Sequence, residues 1–159
     1  FKYMQSHAQP EHFLATERGG ILLGNEPEWL QTAASTVNFL KKNLPPGEQF
    51  FAVPADPLYY FLMDQRSPTY QLVFTDFNSV SAAQDRQTVE DLKQKNIKWI
   101  VMSNFIKMVD PTVGEFGVTN SPNLAQYIRE NFYPVALFGP WEKQPWWHVN
   151  HATMILRKK

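Results

Sequence analysis

The sequence predicts an α/β fold, a three-layer sandwich built around a mainly parallel sheet. Segments with helical periodicity alternate with short apolar runs from residue 26 onward, which is the pattern of strands connected by helices. The apolar runs are continuous, as in strands that are buried on both faces of a parallel sheet. The last two predicted strands are close in sequence, so we expect them to form an antiparallel pair.

The first predicted elements are a hairpin and a long helix. Residues 13–15 and 21–23 flank an Arg-Gly-Gly turn and predict an added β-hairpin. The helix is predicted over residues 26–44, where apolar residues recur at spacings of three and four. Asn25 and Glu28 have the spacing of a capping box, and a Pro-Pro-Gly sequence ends the helix.

The remaining elements follow from caps and from β-branched or aromatic runs. Ser81 and Gln84 repeat the capping-box spacing at the start of a helix, and Asn96 is suited to its left-handed end. A further helix opens at the Ser-Pro pair of residues 121–122 and ends near Asn131. Strands are predicted at residues 49–53, 70–74, 97–102, 133–138 and 152–156, a short helix at 57–63, and a long loop at 103–120.

The composition indicates one packed domain. A chain of 159 residues with 43% hydrophobic and 19% charged residues has enough apolar side chains for a core. We expect residues 1–24 to be an N-terminal extension or hairpin and residues 25–159 to form a single α/β domain. Because the chain begins with Phe1 and no signal segment follows it, we also expect it to be a piece of a longer protein.

Charge and cysteine content exclude several classes of protein. The chain has no cysteine, which excludes disulfide frameworks, thiolate zinc sites, iron–sulfur clusters and cysteine nucleophiles. Lys plus Arg equals Asp plus Glu, at 15 each. A nucleic-acid partner is therefore not expected, since such proteins normally carry a basic excess.

Neither the glycine-rich stretch nor the histidines predict a cofactor or metal site. Residues 18–24 lack both the G-x-G-x-x-G spacing and a Gly-Lys-Ser/Thr ending. Glu26 and Glu28 also place negative charge where an anion would bind, so a turn is the better interpretation. The four histidines form two pairs, one near each end of the chain, and nothing in the spacing adds a third or fourth zinc ligand.

Two carboxylates are candidates for acid–base chemistry. Asp56 and Asp76 each come shortly after a predicted strand, where loops line the ligand crevice of an open α/β sheet. One interpretation pairs either of them with His148 in a small hydrolase or transferase. Loop aspartates more commonly cap helices or form turns, so we assign no catalytic residue.

A tryptophan-rich connection is the feature that packing explains least. Trp141, Trp146 and Trp147 lie in one predicted loop, with His148 next in sequence. Exposed tryptophan rings beside polar groups stack on sugar rings or rest at a lipid headgroup boundary. The alternative is that they cover the end of the sheet in a small satellite core.

The middle of the chain resembles a known family. A helix ending in Leu-Pro-Pro-Gly-Glu is followed by a strand and by Pro-Leu-Tyr-Tyr-Phe-Leu-Met-Asp-Gln-Arg-Ser-Pro-Thr. With the later Lys-Trp-Ile-Val-Met strand, this order resembles the soluble C-terminal region of bacterial polytopic glycosyltransferases. These enzymes are related to dolichyl-phosphate-mannose protein mannosyltransferase and the lipid A aminoarabinose transferase. The resemblance covers residues 25–105.

The resemblance implies an accessory role on the periplasmic side of the inner membrane. The parent enzyme would transfer a sugar from a polyprenyl-phosphate donor, and this domain, with residues 1–24 leading out of the membrane region, would follow the last membrane span. The family's catalytic carboxylate lies in an external loop between early spans, and no residue of this chain matches it. The expected partners are the membrane-spanning part of the same polypeptide and a glycan or lipid-linked sugar acceptor.

We expect loops at the edge of the sheet to contact such an acceptor. The predicted ligand contacts are Asp56, Tyr59, Tyr60, Arg66, Trp141, Trp146, Trp147 and His148. The alternative function is a free-standing α/β module that binds a small polar ligand or a sugar at the carboxyl edge of its sheet.

Overall fold

A computed structural model describes residues 13–16, 19–22, 27–106, 111–146 and 149–159. It is a mixed α/β fold with a four-stranded mixed sheet and a separate two-stranded hairpin. Among the described residues, no helix combines the length and apolar character that a membrane crossing needs.

The long helix occurs as predicted, and so does the hairpin, except that Gly19 and Gly20 of its predicted turn begin the second strand. Strand β1 (Phe13–Thr16) pairs antiparallel with β2 (Gly19–Leu22). Helix α1 (Pro27–Asn43) buries Leu30, Val37 and other apolar residues of its predicted stripe. The predicted capping residue Asn25 lies outside the described residues.

Two parallel strands follow, each preceded by a helix. Strand β3 (Phe50–Val53) leads into the short helix α2 (Leu58–Leu62), and helix α3 (Ala82–Gln94) leads into β4 (Trp99–Ser103). The strands β3 and β4 are parallel, with Phe50 opposite Trp99.

The caps of α3 confirm the sequence prediction. The Ser81 side chain accepts from the Gln84 backbone N–H, and the Gln84 side chain accepts from the Ser81 N–H. At the other end Asn96 adopts a φ of 49°, the left-handed conformation expected of it.

The last three elements complete the sheet. Helix α4 (Pro122–Asn131) passes directly into β5 (Phe132–Phe138), and β6 (Thr153–Lys158) inserts between β4 and β5. The spatial order is therefore β3-β4-β6-β5. Strand β6 is antiparallel to both neighbours, so the predicted antiparallel C-terminal pair is confirmed.

The prediction of a mainly parallel sheet is not confirmed. Of the strand pairs in the four-stranded sheet, β3–β4 is parallel and the other two are antiparallel. The predicted strand at 70–74 is irregular, because side chains bind its backbone carbonyls instead: the Thr69 hydroxyl donates to Gln71 and the Gln71 amide donates to Val73. Its link to β3 is one bond from the Phe74 N–H to the Pro54 carbonyl, 2.7 Å.

Apolar side chains cover both faces of the sheet. Phe50, Trp99 and Ile155 belong to a buried cluster with α1 and α2. Phe51 and Ile100 belong to a second cluster with α3 and α4. Neighbouring residues of β3 and β4 thus point into different clusters, as the alternation of a strand requires.

Candidate functional site

A cleft lies at the carboxyl ends of the parallel strands β3 and β4. Its volume is about 390 Å³. Most of its lining is apolar or aromatic, namely Trp29, Ala55, Leu58, Val73, Phe77, Phe105 and Val113. This position, beyond the carboxyl ends of parallel strands, is where open α/β sheets bind ligands.

One carboxylate, that of Asp56, also lines the cleft. Asp56 comes three residues after β3 ends, and its backbone carbonyl accepts from the Tyr59 N–H at the start of α2. Only 7% of Asp56 is exposed. Its two carboxylate oxygens are each 3.4 Å from Nε2 of His151, a residue that is 3% exposed.

His151 is held in place by its ring and by its backbone. The imidazole packs against two aromatic side chains of the cleft, with ring centroids 5.8 Å from Trp29 and 5.3 Å from Phe105. The Thr32 hydroxyl donates to the His151 carbonyl, at 3.3 Å. The imidazole therefore fixes the position of the Asp56 carboxylate.

The segment that carries His151 is held by Asn104, the residue after β4. The Asn104 side-chain amide donates to the Asn150 carbonyl at 2.8 Å, and its oxygen accepts from the Ala152 N–H at 2.9 Å. Because β6 runs antiparallel to β4, this segment reaches the sheet just where β4 ends. The fold thereby brings His151 within reach of Asp56.

The geometry favours ligand binding over acid–base catalysis by the Asp56–His151 pair. Within the described part of the chain, Nδ1 of His151 is buried and has no hydrogen-bond partner, while Nε2 is occupied by Asp56. A general base must reach the proton that it removes, and neither nitrogen opens into the cleft. The Asp56 carboxylate is the group that a ligand can meet.

The two tyrosines predicted as ligand contacts are core residues. Tyr59 is 2% exposed and its hydroxyl lies 2.9 Å from Oγ1 of Thr153. Burial, and secondarily the charge of Asp56, raises the pKa of Tyr59 well above its ordinary value. The Tyr60 hydroxyl accepts from the Ala52 N–H at 2.8 Å, and burial raises the pKa of this phenol too. Both phenols support β3 and β6 from behind the cleft.

Arg66 lies at the opposite end of the sheet from Asp56. Its carbonyl accepts from the side chain of Gln49, the residue immediately before β3. The side chain of Arg66 is exposed. Since β3 spans roughly 13 Å, Arg66 and Asp56 do not meet in one site.

The tryptophan-rich connection forms a surface of its own. Trp141 is half-buried and lines a cavity of about 210 Å³ together with Asn104 and Pro145. Trp146 is 41% exposed, and its backbone bonds to that of Val149. Trp147 and His148 lie outside the described residues.

Asp76 joins two loops and does not join Asp56. Its Oδ1 accepts from the Thr119 hydroxyl and from the Asn120 side-chain amide, each at 3.0 Å. Its carboxylate also lies against Gly114, where a Cβ atom would fall 2.1 Å from Oδ2. Asp76 thus stabilises loops through side-chain hydrogen bonds, which is a common role of aspartate. Within the described ranges no cluster of three His, Asp or Glu residues is arranged to hold a metal ion.

Sequence reasoning missed the aromatic lining residues Trp29, Phe77 and Phe105. It also missed His151, which contacts the Asp56 carboxylate. Trp29 is on the first turn of α1, and Phe105 follows β4 by two residues. His151 precedes the last predicted strand. Placing that strand antiparallel to β4 would have located His151 near the end of β4. Comparison of the chain with protein-family models, with curated proteins and with solved structures gives no match.

Proposed function

We propose that this chain is a ligand-positioning domain whose cleft binds a saccharide or a similarly polyhydroxylated ligand. The observation that carries the proposal is the buried Asp56 carboxylate among the aromatic side chains Trp29, Phe77 and Phe105. A sugar presents apolar C–H faces that pack on aromatic rings and hydroxyl groups that donate to a carboxylate.

We further propose that the domain is the accessory part of a membrane glycosyltransferase that uses a polyprenyl-phosphate sugar donor, on the periplasmic side of the membrane. The resemblance of residues 25–105 supports this context. In such an enzyme the cleft would hold the acceptor while the membrane-spanning part performs the sugar transfer. The complete gene product is expected to contain apolar spans of about 20 residues and to fractionate with membranes. A complete product without such spans would contradict this part of the proposal.

The fold fits an accessory domain of this kind. The two apolar clusters lie on opposite faces of the sheet, one with α1 and α2 and the other with α3 and α4. We propose that they are the two interfaces of a three-layer sandwich, which leaves the carboxyl edge of the sheet free for a ligand.

Titration with a panel of mono- and oligosaccharides, followed by NMR, tests the binding function. The five tryptophan indole N–H groups give separate signals, and the Trp29 signal is expected to shift on binding. The substitution Asp56→Asn is expected to weaken binding about tenfold or more, because a charged acceptor is worth roughly 1.5–3 kcal/mol. Phe77→Ala, at a lining residue that is 59% exposed, is expected to weaken binding without loss of stability.

The matched control is Asp64→Asn, the same chemical change at an exposed residue beyond α2. It is expected to leave the affinity within about twofold. Thermal unfolding of each variant separates loss of binding from loss of fold. Absence of any shift at Trp29 across the panel, with the fold intact, would overturn the proposed ligand class.

A further inference from the structure

More than half of the fifteen Lys and Arg side chains gather at the end of the sheet opposite the cleft. They lie around the first residues of β3 and β4. This group, called the basic end below, consists of Lys41, Lys42, Arg66, Lys95, Lys98, Arg157, Lys158 and Lys159.

Contacts near the start of β4 bring the central cations of the basic end together. Nζ of Lys98 is 2.7 Å from a carboxylate oxygen of Glu48, which precedes β3. Arg157 of β6 lies opposite Trp99, and its guanidinium is 5.1 Å from the centre of that indole ring. The Lys158 N–H donates to the Lys98 carbonyl at 2.9 Å. The antiparallel course of β6 thus brings the last residues of the chain to the start of β4.

Further cations join this end from loops and helices. Nζ of Lys95 donates to the Pro68 carbonyl, and the Gln49 side chain donates to the Arg66 carbonyl. Both bonds tie the 64–69 turn to the start of β3. The lysines of the last turn of α1 are exposed and lead directly to the same strand.

Helix ends account for part of this arrangement only. Lysines in a last helical turn complement the negative end of the helix dipole, which explains the pair on α1. Arg66 lies in a turn, Lys98 immediately precedes β4, and Arg157 lies in β6. None of the three is at a helix end, so the helix dipole does not explain their positions. Glu48 neutralises Lys98, but most of the cations of the basic end remain exposed to solvent.

An exposed aromatic residue adjoins the cations. Tyr70 is 95% exposed and lies two residues beyond the carbonyl that Lys95 binds. A tyrosine beside lysines matches the chemistry of a membrane surface, where the ring enters the headgroup region and the cations meet lipid phosphates. Lysines outnumber arginines in the group, whereas base recognition in nucleic acids relies chiefly on arginine forks.

We propose that the basic end docks on an anionic lipid surface, with Tyr70 entering the headgroup layer. This inference is independent of the cleft and of its ligand.

Vesicle co-sedimentation of the full 159-residue chain tests the proposal. One vesicle preparation contains phosphatidylcholine alone, and the other contains phosphatidylcholine with about one third phosphatidylglycerol. Binding is expected to the anionic vesicles only, and it is expected to fall steeply between low and physiological salt.

Paired variants separate this patch from overall charge. The double substitution Lys42→Gln and Arg66→Gln is expected to lower the partition coefficient about 25-fold, since each cation near such a surface is worth roughly a factor of five. The control double substitution Arg86→Gln and Lys143→Gln removes the same charge away from the basic end and is expected to change binding less than twofold. Tyr70→Ser, with no change of charge, is expected to weaken binding several-fold.

Three outcomes would overturn the proposal. The first is absence of binding to anionic vesicles at low salt, and the second is an equal loss in the control pair. The third is tighter binding to duplex DNA or to polyglutamate than to the vesicles at the same ionic strength. That last result would assign the basic end to a different partner.

Discussion

The two ends of the central sheet have opposite chemistry. At the carboxyl end, polar groups such as Asp56 and His151 are buried and each is held by a defined neighbour. At the amino end, cations such as Lys42 and Arg66 are exposed to solvent. The two ends therefore respond differently to substitution. At the carboxyl end a substitution removes the partner of a buried polar group. At the amino end it changes a surface potential to which several side chains contribute.

The largest effect on stability is expected at the start of α4, beside the carboxyl end. Asp85 of α3 is 1% exposed, and its carboxylate accepts from the N–H groups of Asn123 and Leu124 at 2.9 and 3.0 Å. It caps α4 from another helix, since Ser121 makes no side-chain cap bond itself. Asp85→Ala leaves these donors unsatisfied and is expected to lower the free energy of unfolding by about 3 kcal/mol.

Urea denaturation of Asp85→Ala, with Asp91→Ala as its control, measures this effect. Asp91 lies on the same helix and accepts from the Gln87 side chain at 2.8 Å, an exposed bond. Its loss is expected to cost about 0.5 kcal/mol. Similar losses for the two variants would show that the cap of α4 does not depend on Asp85.

Two glycines with nearly the same positive φ, one at each end of the sheet, allow a direct comparison. Gly139, near the cleft end of the sheet, has a φ of 80°, and Gly47, at the basic end, has a φ of 81°. A Cβ atom at Gly139 would lie 2.5 Å from the His151 carbonyl oxygen, whereas one at Gly47 would have no atom within 4 Å. Alanine at either site strains the backbone by about 1 kcal/mol, but at Gly139 it also displaces the His151 segment.

Gly139→Ala is therefore expected to cost about 1–3 kcal/mol more than Gly47→Ala. Thermal or urea unfolding of the two variants gives the difference. Because the backbone strain is shared, the difference reports the close packing at Gly139. Equal costs would mean that the His151 segment moves aside freely.

The smallest effect, and the one that depends on pH, belongs to the basic end. The hydrogen bond from Lys98, opposed by partial burial and assisted by the Trp99 indole N–H, holds the pKa of Glu48 below its ordinary value of 4.5. A carboxyl with a lowered pKa in the folded state stabilises the fold above its ordinary pKa, and this stabilisation is lost as the pH falls through the folded value. Glu48→Gln is thus expected to cost about 0.5–1 kcal/mol at neutral pH.

Urea denaturation of the parent chain and of Glu48→Gln between pH 7 and pH 3 tests the sign. The difference in unfolding free energy is expected to shrink as the solution becomes acidic. A difference that stays constant over this range would contradict the role of the ionised carboxylate.

Local sequence patterns were sufficient to predict those helices whose caps and apolar spacing lie within the helix itself. The cap pair Ser81 and Gln84 located the start of α3, and the apolar spacing of 26–44 located α1 to within a residue at each end. The segment 70–74 has the composition of a strand but not its pairing, because Thr69 and Gln71 bind the nearby backbone. Such competition is decided by geometry that composition does not reveal.

The site depended on pairing between distant segments. Asp56 was recognised because it follows a strand, which is local information. One interpretation paired Asp56 or Asp76 with His148, which lies outside the described residues. The structure places His151 beside Asp56, 95 positions along the chain. That choice follows from β6 lying antiparallel to β4, and the sequence contains no short-range signal for this pairing.

The place of β6 in the sheet also bears on how the chain is made. Strand β6 is the last of the sheet strands to leave the ribosome, yet it joins β4 to β5. Until residues 153–158 have emerged, β4 and β5 have no common neighbour and each keeps an unpaired edge. A nascent chain stalled before residue 153 would therefore leave backbone groups at the edges of β4 and β5 open to pairing with other polypeptides.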